Sequence, residues 1–381
     1  MKVLATTNKG MEDISANEIE SLNGVKSTIR NGFILFEVEK YEDVFEICYL
    51  SRSLNKVVFL LDNFSFEETP LDELKKRVNN YELKDFIDGQ RFAVQGEREG
   101  VHSFNSAEMG NEISKIISSL NSSAIRDYKN PQTTCYFHII DKEFYLGIDF
   151  CGEDLGRRDY RIFLSSQSIK GNIAFALMKL AEYDKKEIFI DPFCREGTIP
   201  IESALYASKR SPHFYRKEKF AFRLLKKFAD FDFEKLFNKI DSQAKEEKLN
   251  LYAIDDNFRS IQASRKNALI AGIRNLEFSR QDIEWLDSKF KKNELDIICT
   301  FPLQYSKTKD SKKIDKIYKH LFYQAEYLLN KKGRIVLLMK TIPEQVIKLW
   351  EEYKFVKKHE RIIMQGMDEW KVVVLVKTSN P

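Results

Sequence analysis

The residues whose types and spacing point to chemistry begin with Glu187-Ile-Phe-Ile-Asp-Pro-Phe-Cys-Arg-Glu-Gly-Thr-Ile-Pro-Ile-Glu202. The apolar run Ile188 to Ile190 ends at Asp191, a short loop holding Gly197 follows, and Thr198 opens the helical pattern Ile199, Ile201, Ala204, Leu205. A strand, a tight turn and a helix N-terminus are what open α/β sheets use to hold a nucleotide-like ligand. Amide N–H groups there lack intrahelical partners and point at the ligand. Asp255 closes Leu251-Tyr-Ala-Ile-Asp255, where a carboxylate can accept both hydroxyls of a ribose. Asp282 follows the next strand pattern in Ser279-Arg-Gln-Asp282. A single Asp after a strand usually caps a helix. Three in register with successive strands predict one pocket. A fourth point is Thr300-Phe-Pro-Leu-Gln-Tyr305, after the strand that follows.

The elements that must position these groups alternate strand and helix through the C-terminal half. Strands are expected near Ile188–Asp191, Asn250–Asp255, Leu276–Ser279, Leu295–Thr300, Arg334–Lys340, Glu360–Met364 and Lys371–Val376, with helices at Phe258 to Ala271 and Lys312 to Leu329. Such alternation predicts a parallel, doubly wound sheet with ligands at the carboxyl ends of its strands. The last two strands are separated by only a short turn, so they must form an antiparallel hairpin. Towards the N-terminus, residues 1–62 read as strand–helix–strand–helix–strand, a ferredoxin-like unit. Residues 63–155 hold a helix, the strand Arg91-Phe-Ala-Val-Gln, the turn Glu97-Arg-Glu-Gly-Val-His-Ser-Phe, an amphipathic helix and two closing strands.

At 381 residues the chain has length for two or three domains, and 43% hydrophobic with 31% charged residues is an ordinary globular composition. No apolar run is long enough to cross a bilayer and no signal-peptide pattern opens the chain, so a cytoplasmic protein is expected. The five cysteines (48, 135, 151, 194 and 299) are scattered and the five histidines dispersed, which predicts reduced thiols and no metal site. The formal net charge is only +4, so nucleic-acid binding would rest on local patches. One such stretch runs from Lys209 to Lys227, where Arg210, Arg216 and Lys217 interleave with Phe214, Tyr215, Phe220 and Phe222. It could hold RNA by phosphate contact and stacking, or pack its aromatics and leave the lysines in water. A second basic run spans Lys307 to Lys319.

The words Asp-Pro-Phe-Cys194, Gly-Thr-Ile199 and Ile-Glu-Ser-Ala204, with the turn Arg98-x-Gly-x-His102-x-Phe104 upstream, resemble THUMP-containing RNA methyltransferases that modify guanine N2 in tRNA or rRNA. The resemblance implies an α/β architecture: a ferredoxin-like plus THUMP module (1–62 and 63–155), a linker (156–170) and a Rossmann-like seven-stranded methyltransferase domain (171–381). It implies S-adenosyl-L-methionine held by Asp191, Phe193, Gly197, Thr198, Asp255, Asp256 and Asp282. It also implies an RNA partner, expected to be tRNA, gripped by Arg98, His102, Arg157, Arg158 and Arg161, to which the basic stretch adds Arg210, Arg216 and Lys217; by themselves, Arg98, His102 and Phe104 read equally as the end of a strand and the cap of a helix. The arginines of Gly156-Arg-Arg-Asp-Tyr-Arg161 stand equally well as a solvated linker.

Amino-methylating relatives place Asn-Pro-Pro-Tyr where Phe301, Pro302, Leu303 and Gln304 stand here, followed by Tyr305. There an Asn oxygen and a backbone carbonyl accept the two hydrogens of the amine and turn its lone pair towards the methyl group, and an aromatic ring stacks on the base. Phe301 has no acceptor; Gln304 could supply a carbonyl, and Tyr305 or Phe301 a stacking face. The cofactor loop departs too, with Arg195 and Glu196 where the family has small residues, so these side chains must swing outwards, fill the pocket or pair with each other. Two functions are therefore expected: guanine-N2 methylation of structured RNA, or an RNA-binding partner protein of the same fold without catalysis. DNA amino-methylation shares the fold, but the THUMP-like half speaks against it.

Overall fold

The computed structural model describes residues 1–165, 167–246, 248–305 and 311–378. The chain divides into two compact units, one of Met1–Thr7, Ala16–Leu155 and Arg216–Ile240, the other of Asn8–Ser15, Gly156–Tyr215 and Asp241–Pro381.

The first unit carries β1 (Lys2–Thr7), β2 (Thr28–Arg30), β3 (Phe33–Glu37), β4 (Leu54–Ser65), β5 (Arg91–Glu99), β6 (Ile125–Arg126), β7 (Thr133–Ile140) and β8 (Glu143–Asp149). They form one sheet in the order β2-β3-β1-β4-β8-β7-β5-β6. The ferredoxin-like and THUMP patterns, read as consecutive modules, thus share a sheet, joined where β4 pairs antiparallel with β8 from Val58↔Asp149 to Ser65↔Glu143. A boundary at residue 62 falls inside β4, whose twelve residues run on to Ser65. Pairing along this length satisfies backbone groups that a free edge would leave open.

The basic aromatic stretch belongs partly to this unit. Phe222, Phe228, Phe231 and Phe233 surround Phe45 together with Phe150, at ring separations between 4.7 and 5.9 Å. Phe220 and Phe222 are fully buried, which leaves no face for a nucleobase. Burying such large rings dominates the local energetics. Across from this cluster, the helix Ser106–Leu120 starts with a reciprocal cap, in which Asn105 Oδ1 accepts from the Glu108 N–H at 2.9 Å and Glu108 Oε2 from the Asn105 N–H at 3.0 Å.

The second unit carries β9 (Phe189–Asp191), β10 (Leu251–Asp255), β11 (Glu277–Arg280), β12 (Leu295–Thr300), β13 (Leu329–Met339), β14 (Phe355–Gln365) and β15 (Asp368–Lys377). Their order is β11-β10-β9-β12-β13-β15-β14. β9 to β13 are mutually parallel, and β15 runs antiparallel between β13 and β14. Side-chain alternation feeds two cores. Phe189, Ile297, Cys299, Val336 and Leu338 enter one face, and Ile190, Ile298, Ile335, Leu337 and Met339 the other. The chain winds outward from β9 through β10 to β11 and restarts on the opposite side with β12. That reversal opens a crevice at the carboxyl ends of β9 and β12.

Candidate active site

Asp191 ends β9 with its side chain turned inward, 1% exposed. Its Oδ1 accepts from the Thr300 hydroxyl at 2.5 Å and from the Phe193 N–H at 3.2 Å, which ties the loop to the end of β12. Burial pushes the Asp191 carboxyl up to about 7 against these hydrogen bonds. The loop then passes through two left-handed residues, Arg195 (φ +51) and Gly197 (φ +85). A Cβ on Gly197 would stand 2.1 Å from Ser264 Oγ, so the turn into the helix Thr198–Ala207 accepts only glycine. Asp255 ends β10; its Oδ2 accepts from the Arg195 N–H and its Oδ1 from the Asn257 N–H, both at 2.9 Å. Burial raises its carboxyl as well. Asp282 caps the short 3-10 turn Ile283–Ser288 by accepting from the Glu284 N–H at 2.9 Å. Capping and cavity lining coexist at this residue.

These groups border a cavity of about 740 Å³, with Phe193, Arg195, Asp255, Asp256, Asp282 and Ile283 among its walls. Asp191 and Thr198 do not line it. They line a separate crevice of about 10 Å³, together with Arg195 and Phe301. Lys313 and Lys316, members of the basic run Lys307 to Lys319, reach the cavity from the helix Ser311–Leu328; sequence reading missed His320 on the same helix, and Ser165 and Gln167 from the segment before the helix Gly171–Leu180. No motif marks these residues; only the fold brings them to the rim. Residues 307–310 of the basic run lie outside the described residues.

Arg195 neither swings out nor pairs with Glu196. Its Nη1 donates to the Gln167 carbonyl at 2.9 Å, and its Nη2 to Gln167 Oε1 at 3.2 Å and to the Pro302 carbonyl at 3.1 Å. The guanidinium lies 4.2 Å from the centre of the Phe301 ring. Glu196 turns to the other side, buried, where it accepts from the Ser165 hydroxyl at 2.5 Å and stands 3.8 Å from Arg161.

The substitutes considered for the missing Asn are corrected by the geometry. Gln304 is committed to the backbone: its Oε1 accepts from the Lys340 N–H at 2.8 Å and its Nε2 donates to the Pro302 carbonyl at 2.7 Å. Phe301 is buried edge-to-face on Trp370, with Arg195 on its ring. Tyr305 stacks on Tyr318 at 5.6 Å and its hydroxyl donates to Asp315 at 2.7 Å. Leu303 lines the cavity with an apolar side chain.

Residues 158–370 match the family described as the RMKL-like methyltransferase domain, and residues 68–149 match the THUMP domain. The chain belongs to the RMKL-like methyltransferase family. It is 30% identical to the tRNA (guanine(6)-N2)-methyltransferase of Methanocaldococcus jannaschii, covering 89% of this chain and 90% of that protein. It is 25% identical to the enzyme of the same name from Archaeoglobus fulgidus, over 99% of this chain and 92% of that one. Among solved structures, TrmN from Thermus thermophilus superposes with a TM-score of 0.74 at 22% identity, covering 99% of each chain. SMU.472, solved complexed with SAH, superposes at 0.83 with 20% identity, covering 100% of this chain and 99% of that one. These two likenesses establish the shared fold.

Within this methyltransferase, the arginines assigned to RNA separate by burial. Arg158 is 4% exposed and pairs with Glu202, its Nε donating to Oε1 at 2.8 Å, while the Tyr160 hydroxyl donates to the same oxygen at 2.9 Å. Arg216 is 1% exposed and donates to the Asp154 carbonyl at 2.9 Å. Both side chains are interior, which corrects their assignment to an RNA surface; removing one partner of a buried pair strands the other charge. Arg157 is exposed, and Arg161, Arg210 and Lys217 are half-buried. In the THUMP domain, Arg98 Nη1 donates to the Gly100 carbonyl at 3.0 Å and stands 3.1 Å from His102 Nδ1. His102 Nε2 lies 2.6 Å from the Asp141 carbonyl, so it carries the proton and the arginine N–H meets a bare Nδ1. This turn braces β5 against the β7–β8 hairpin and keeps both side chains half-exposed.

S-adenosyl-L-methionine, the methyl donor of such enzymes, fits the donor set. The cavity volume suits a nucleoside with a short tail. The Asp255 carboxylate accepts from two backbone N–H groups and the Ser260 side chain, which still leaves it acceptor capacity for a ribose hydroxyl. Arg195 offers a cation at the inner wall, and among the described residues no carboxylate pairs with it.

Proposed function

We propose that this chain transfers a methyl group from S-adenosyl-L-methionine to the exocyclic amine of a guanine in tRNA, as the two curated relatives named tRNA (guanine(6)-N2)-methyltransferase do. The observation that carries the reading is the cavity at the switch point, bordered by Asp255 and Asp282, in a chain of this family. Bound there, the sulfonium supplies an electrophilic methyl group. Asp255 holds the ribose and Asp282 and Ile283 border the base, while Phe193 and Leu303 keep water from the cavity walls. Phe301 is apolar, Gln304 is bonded to backbone, and the Pro302 carbonyl accepts from both Arg195 and Gln304, so the amine meets this strand end without the Asn acceptor of the family. The RNA-facing polar side chains that remain exposed or half-exposed are Arg98 and His102 of the THUMP domain, Arg157 and Arg161 of the linker Gly156–Lys170, and Arg210 and Lys217 of the stretch that follows the helix Thr198–Ala207.

The test is transfer of a tritiated methyl group to a tRNA transcript, followed by digestion to nucleosides. Label in N2-methylguanosine, absent when guanine 6 is replaced, supports the reading. Retention of tRNA without label would instead favour the RNA-binding partner protein, the alternative that the apolar Phe301 supports.

A further inference from the structure

Arg195 is a half-buried cation whose guanidinium donates only to neutral oxygens, those of Gln167 and Pro302. Glu196, Asp191 and Asp255 act on its charge from nearby, but none makes a direct ion pair with it, and a desolvated charge is best held by one. Three of its roughly five N–H donors are used. Arg195 lines both the 740 Å³ cavity and the 10 Å³ crevice that Asp191, Thr198 and Phe301 border. That crevice holds about one water molecule. A nucleoside ligand is therefore confined to the cavity, where Arg195 is part of the wall. The backbone N–H of the same residue donates to Asp255, so the ribose site and this cation are adjacent.

From this arrangement we infer that Arg195 is the receptor for the carboxylate of the amino-acid arm of the S-adenosyl ligand, a specificity-determining residue that makes the site demand that arm. The inference rests on the cofactor reading above. A carboxylate matches the guanidinium in shape and charge, and would make with it the direct ion pair that none of the neighbouring carboxylates makes.

Titration calorimetry on the full chain tests it with two probes. S-adenosylhomocysteine carries the arm; 5′-deoxy-5′-methylthioadenosine keeps the nucleoside and thioether and lacks it. Arg195→Gly suits the left-handed backbone at this position, so the loop is preserved. The variant should lose roughly 10- to 100-fold in affinity for S-adenosylhomocysteine. Its affinity for methylthioadenosine should stay within about twofold, and Arg195→Lys should recover part of the loss. Equal or tighter binding of S-adenosylhomocysteine by Arg195→Gly would overturn the inference and make the guanidinium a plug. An equal loss for both probes would overturn it too, as damage to the whole cavity. If the unaltered chain bound neither probe, the cofactor reading itself would fail, and the two failures are distinct.

Discussion

Asp191 is held where its charge is poorly solvated. Burial pushes its carboxyl up from the ordinary 3.8 to about 7 in the folded chain. Between these values the folded chain keeps a proton that the unfolded chain has released. The contribution of this residue is therefore fully present below about pH 4 and is lost as pH rises through 7. Asp191→Asn keeps the oxygen that accepts from Thr300 and Phe193 but removes the charge. Urea unfolding at pH 5 and pH 8 should show the variant gaining on the unaltered chain at the higher pH, by a few kcal/mol at most. A gap that does not change with pH would place the titration elsewhere. Asp255 was legible in the sequence because it ends an apolar strand pattern, and Asp282 because it follows the next one at the start of a turn. The direction of Arg195 was not, since its partners Gln167 and Pro302 are 28 and 107 residues away.

The turn between β9 and its helix is the element that sets the site. Its identity was readable from Gly197 and the apolar runs on either side, and the closeness of Ser264 supplies the reason for glycine. Gly197→Ala should destabilise the chain by about 2–4 kcal/mol, combining the left-handed backbone with the steric overlap. Adding Ser264→Ala removes the atom at 2.1 Å and should restore part of that loss, though not the backbone share. Thermal unfolding of the single and double variants measures both; no recovery in the double variant would refute the overlap. The strands of the second unit were legible in order and, for β12, to the residue. β14 begins at Phe355, earlier than Glu360, because its first turn of sequence (Val356, Lys357, Lys358, His359) is exposed and polar. An edge strand guarded by lysines carries little hydrophobic periodicity.

At the scale of the whole molecule, linear segmentation fails where the chain returns. Arg216–Ile240 lies within the family match to the methyltransferase domain but completes the core of the first unit, and Asn8–Ser15 lies near the N-terminus but belongs to the second. Of the two readings of the basic aromatic stretch, packing holds for Phe220 and Phe222, which join Phe228, Phe233 and Phe237 in the core, while Tyr215 stays exposed. A chain ending at Leu155 should consequently bind 8-anilinonaphthalene sulfonate strongly and unfold without a cooperative transition, whereas the full chain should melt cooperatively. A sharp melt of the shortened chain at the full chain's midpoint would show that these rings contribute nothing.

The same return has a bearing on biosynthesis. As the nascent polypeptide leaves the ribosome, the sheet that starts with residue 2 has all its strands by residue 149, yet it must wait for Ile240 to emerge before its interior is filled. The N-terminal half is translated first and finished late, so a chaperone or the RNA itself has a window in which to meet it unsealed.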